Sequence, residues 1–95
     1  MSDFELVEFV EPAFREGGMF AGTQERVLGN FNTEAAAIDA GRAAWSGFRA
    51  SGSQDVAWWV VRVPGESLAR WIADGASPVE RVLDLRTNTL VELKR

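Results

Sequence analysis

Residues 65–69, Gly65-Glu-Ser67-Leu-Ala69, have the G-x-S-x-A spacing of a hydrolase nucleophile elbow and follow an apolar run, as such an elbow must. A serine hydroxyl becomes a nucleophile only beside a base, and the chain has no His and a single lysine, Lys94, next to its end. The same residues serve more simply as the first turn of a helix, where Glu66 suits the dipole and Ser67 satisfies free amides.

Two other groupings have the right residue types for chemistry. Gly17-Gly18-Met-Phe-Ala-Gly22 offers backbone amides to a phosphate, but a phosphate loop leads from a strand into a helix and carries a basic residue. This one joins two apparent strands, so a hairpin turn is expected. Glu5, Glu8, Glu11 and Glu16 have the charge for a hard cation or an acid–base pair, yet strand alternation splits them between two faces and no EF-hand spacing is present. A solvated acidic edge is expected in their place. With neither His nor Cys, the usual zinc, copper and haem ligand sets cannot be assembled, so no cofactor and no transition metal is expected, and an enzyme is disfavoured.

Charge narrows the partners. A formal net charge of −4 opposes binding to nucleic acid or to an anionic membrane surface, because contact with phosphates needs concentrated Lys and Arg. No apolar run approaches the roughly 20 residues that span a bilayer, and Met1-Ser2-Asp3-Phe4-Glu5 has no basic region ahead of an apolar one; a cytoplasmic protein is the expectation. The preference for Arg over Lys and the abundance of Ala fit a GC-rich bacterial gene.

What remains is tryptophan. Trp45, Trp58, Trp59 and Trp71 are many for 95 residues, and adjacent Trp58 and Trp59 must point to opposite faces of any strand that holds them. That strand is 55–63, Asp55-Val-Ala-Trp-Trp-Val-Val-Arg-Val63, β-branched and aromatic nearly throughout and stopped by Pro64-Gly65. Apolar residues at both parities place it inside a sheet.

The elements around it follow from pattern. Residues 4–14 read as a strand near an edge, with Pro12 ending it, sitting on its outer side or marking a bulge, and residues 23–31 read as its antiparallel hairpin partner. From a cap at Asn32 or Thr33, residues 34–49 form an Ala-rich helix whose Ile38, Gly41, Trp45 and Phe48 share one face. Residues 66–74 fit a shorter helix with the stripe Leu68, Trp71 and Ile72, closed by Gly75 and Pro78. Residues 79–86 and 90–93 make a closing hairpin about Thr87-Asn88-Thr89. The fold class is therefore α+β: one domain over residues 1–95, a mixed sheet in the order ββαβαββ, with one long helix on one face and a shorter second helix.

The odd face of the central strand, Ala57, Trp59, Val61 and Val63, belongs under the long helix. The even face carries Val56, Trp58, Val60 and Arg62, with Arg26, Leu28, Val82, Asp84 and Arg86 as companions on neighbouring strands. An apolar centre with a charged rim has the anatomy of an interface. Alternatively the short helix covers it and makes a third layer, and strand order decides between the two. The functional expectation is an acidic interaction module, binding itself or another protein through Trp58, Val60, Arg62, Leu28, Val82, Asp84 and Arg86. The alternative is a domain that binds a small anion in a Trp-lined cleft with Arg62 as anchor.

Overall fold

The computed structural model describes residues 4–11 and 23–93. It contains β1 (Phe4–Glu11), β2 (Gln24–Phe31), α1 (Glu34–Ser51), β3 (Val56–Arg62), β4 (Trp71–Asp74), β5 (Glu80–Asp84) and β6 (Thr89–Leu93). The strands form one sheet in the order β2-β1-β3-β4-β5-β6. All neighbouring pairs are antiparallel, which corrects the expected mixed sheet. β2 and β3 both flank β1 and so run parallel to each other, with α1 as their crossover; the unit is a β-α-β with a strand inserted between its two strands.

β3 is an interior strand, between β1 and β4. Its odd residues Ala57, Trp59 and Val61 are almost wholly buried, while Val56, Trp58, Val60 and Arg62 alternate with them at higher exposure. The helix that covers the odd face starts where Thr33, in extended backbone, accepts the Ala36 N–H on its hydroxyl at 3.1 Å. It stops at Gly52, whose φ of 70° is open to glycine at little cost. Ala37, Ile38, Gly41 and Trp45 are its buried face, and it lies across β1 to β4. Trp45 meets Trp71 edge to face at 6.4 Å, and Phe48 meets Trp59 at 5.3 Å. Gly41 permits this depth: a Cβ there would sit 2.5 Å from a Trp71 ring carbon.

The expected helix over 66–74 is not formed, and α1 is the one helix among the described residues. The chain reverses at Gly65, with φ of 91°, and runs irregularly to Arg70. There the Arg70 N–H donates to the Val61 carbonyl at 2.7 Å, and the Arg70 carbonyl accepts from the Leu83 N–H at 2.9 Å, so the segment is drawn into the ladder between β3 and β5. Trp71 turns inward under α1 with no exposure at all. A second helix over the Trp58 face is thereby excluded: Trp71 and Ile72 of its expected stripe lie in β4 of the sheet itself, and Leu68 lies in the irregular segment.

β1 lies second from an edge, as expected of a strand near one, with its antiparallel partner β2 outside it. Glu5 and Glu8 are consequently paired residues: Glu8 binds Arg26 at 3.0 Å and Glu5 binds Arg62 at 2.7 Å. The expected turn over 15–22, with its glycines, and the ends of the first strand beyond Glu11 lie outside the described residues, as do Glu16 and Lys94-Arg95.

Candidate functional site

The site is assembled from the sheet face opposite α1. Register places Glu5, Val7 and Phe9 of β1 against Arg62, Val60 and Trp58 of β3, and Ile72 and Asp74 of β4 continue the rows. Phe9 and Trp58 stack with ring centroids 5.4 Å apart and planes 9° from parallel. Val7 beside them is completely buried, whereas Phe9, Trp58, Val60 and Ile72 are each partly accessible. Among the described residues, no helix lies on this face.

The rim is ionic. The Arg62 guanidinium donates to Glu5 at 2.7 Å and reaches Glu25 of β2 at 3.5 Å. The hydrogen bond with Glu5 is the main reason its proton affinity stands above the ordinary arginine value, against a smaller loss from burial. By strand parity Glu11, Asp74, Arg81 and Glu92 face the same way, with Arg81 3.8 Å from Glu92. Glu5, Glu11, Glu25, Asp74 and Glu92 thus outnumber Arg62 and Arg81, and the border is net acidic.

No protein family, curated protein or solved structure matches this chain. The site therefore rests on its own geometry.

Of the residues expected here, the structure brings Trp58, Val60 and Arg62 together. Leu28 lies at an irregularity of the β1–β2 ladder and packs on the helix-side core. Val82 and Asp84 share parity with Glu80, which binds Arg42 of α1, so they also belong to the helix side. Asp84 accepts the Arg86 N–H at 2.9 Å within the hairpin turn, where the Arg86 side chain is 90% exposed. Arg26 pairs with Glu8, again on the helix side. Even numbering failed as a guide because parity transfers between strands only through register. The residues missed were Val7, Phe9 and Ile72; the apolar run of β1 contained the first two, but nothing in it said which parity met Trp58, and Ile72, expected in the second helix, lies in β4.

Arg62 is ill placed as an anion anchor, since two carboxylates already occupy it. A cleft that does combine a tryptophan with arginines lies beside α1, lined by Arg42, Trp45, Ser46, Arg49 and Pro78, with a volume of about 370 Å³. Arg42 is committed to Glu80 at 2.6 Å; Arg49 has no carboxylate at ion-pair distance among the described residues. Ser67, the elbow serine of the sequence motif, sits exposed in the irregular segment, and no helix follows it. No helix among the described residues is long and apolar enough to cross a membrane.

Proposed function

We propose that the protein is an interaction module that docks another protein on the Phe9–Trp58 face of its sheet, and that the partner presents an apolar centre with a basic border. The stacked pair, on a face that carries no helix among the described residues, is the observation that supports this: both rings keep accessible surface where a core pair would lose it. Burying such a ring is worth roughly 25 cal/mol per Å² of apolar area, so Trp58 is the natural anchor of the patch. The acidic rim chooses the partner's sign, and it disfavours face-to-face pairing of two copies, which would set carboxylates against carboxylates.

Peptide display against the wild type, repeated on Trp58→Ser, tests the proposal. Selected peptides should combine Arg or Lys with aromatic residues, weaken as salt rises, and bind Trp58→Ser at least about 10-fold less tightly, while the variant's thermal midpoint stays within a few degrees. Peptides that bind both proteins alike would overturn it.

A small anion remains the second reading, now in the α1 cleft, favoured by the uncommitted Arg49 guanidinium beside Ser46 and the Trp45 ring. Inorganic phosphate or citrate should then change tryptophan emission in the wild type and leave Arg49→Ala unaffected; no saturable change in the wild type would dispose of it.

A further inference from the structure

The two edges of the sheet are built differently. On β2 the residues Gln24, Glu25 and Arg26 are all exposed, and the ladder to β1 is broken between Leu6 and Val7, which twists that edge and blunts it. On β6 the sequence Thr89-Leu90-Val91-Glu92-Leu93 carries one charge and no Pro, Gly or Lys, and it pairs with β5 in unbroken register. Val91 and Leu93 are 40% and 36% exposed on the side where α1 lies, because the helix stops short of β6.

The Leu83 N–H donates to Arg70 and so points away from β6, which makes Leu83–Leu90 a non-hydrogen-bonded pair. By alternation Thr89, Val91 and Leu93 bond to β5, and Leu90 and Glu92 turn their N–H and C=O groups outward. These free groups sit symmetrically on either side of Val91.

We propose that β6 docks β6 of a second copy, antiparallel about a two-fold axis through Val91, so that two sheets become one. In this register Leu90 exchanges both hydrogen bonds with Glu92 of the second copy and the reverse, which satisfies every outward group of the pair. Val91 meets its counterpart at the close spacing of a non-hydrogen-bonded pair, about 4.5 Å between Cα atoms. Glu92 lies opposite Leu90 and never opposite itself, so no like charges face each other across the strands. The contact is isologous and closes on itself, leaving the blunted β2 strands at both ends, where further growth stops. A five-residue strand on each side buries less than the roughly 1,600 Å² of a standard interface, so the dimer is reversible.

Sedimentation velocity over about 5 to 500 µM, the range suited to a weak contact, should show the mean mass rising from one chain toward two. Glu92→Pro removes an outward N–H, which an edge strand tolerates, and Val91→Lys sets like charges at the axis; each should weaken association at least about 10-fold with little change in melting temperature. Trp58→Ser should leave it unchanged, which separates this edge from the sheet face. A wild type that stays monomeric throughout, a dimer that survives both β6 changes, or one abolished by Trp58→Ser would overturn the proposal.

Discussion

Trp71 donates its indole N–H to Glu80 at 2.9 Å, and the two residues are 0% and 2% exposed. The carboxylate is held in turn by Arg42 from α1, at 2.8 Å through Nε and 2.6 Å through Nη2. A second copy of the device lies two strands away, where the Trp59 indole donates to Glu8 at 3.0 Å and Glu8 binds Arg26. In each, a large ring is buried and its one polar atom is met by a carboxylate whose charge an arginine balances.

Glu80→Ala leaves a buried indole N–H without its acceptor and frees Arg42, at a cost of about 3 kcal/mol. Glu80→Gln keeps an oxygen for Trp71 and gives up only the charge, so it should cost about half as much. Urea melts of the two variants check the order; equal midpoints would show that the indole bond contributes nothing.

These pairs also show what the sequence held. The elements expected over 4–14, 23–31, 34–49 and 55–63 were legible because they are long and distinctly patterned. Within the described residues they correspond to β1, β2, α1 and β3, the odd face of β3 included, while the cap, expected at Asn32 or Thr33, is Thr33. The segment 66–74 was not. Leu68, Trp71 and Ile72 have helical spacing, and Arg70 does bind Glu66 four residues back through two 3.0 Å hydrogen bonds, as on a helix, yet without helical backbone. A four-residue strand shows too little alternation to compete with such a pattern. The Trp–Glu–Arg pairs had a usable signal: Glu8 between Leu6 and Val10, and Glu80 beside Val82, are carboxylates at core parity, which only a buried donor justifies.

Two glycines of α1 should respond in opposite directions to alanine. At Gly41 the new methyl group would meet the immobile Trp71 ring at 2.5 Å and 2.9 Å, costing about 1–3 kcal/mol despite better helix propensity. At Gly47 nothing lies within 4 Å, and Gly47→Ala should stabilise by up to about 1 kcal/mol. Thermal melts of both variants suffice; a stabilising Gly41→Ala would refute the packing described for Trp71.

Stability should also be uneven across the sheet. α1 secures β1 to β4, whereas β5 and β6 are held by the ladders from β4 outward and by the contacts of Glu80 with Trp71 and Arg42. Amides of β6 that bond to β5 should therefore exchange with deuterium through openings smaller than global unfolding, while those of β1 and β3 exchange only with it. Uniform protection throughout would count against this division.

Strand β1 bonds on one side to β2, close behind it in the chain, and on the other to β3, so that Glu5 meets Arg62 from 57 residues away. During synthesis β1, β2 and α1 emerge before β3, with one flank of β1 still bare. The seam between β1 and β3 closes only after that, across a long loop, and contacts so distant in sequence form slowly. Until β3 arrives, a nascent chain displays the inner edge of β1 to any other extended peptide nearby, a hazard the finished molecule no longer carries.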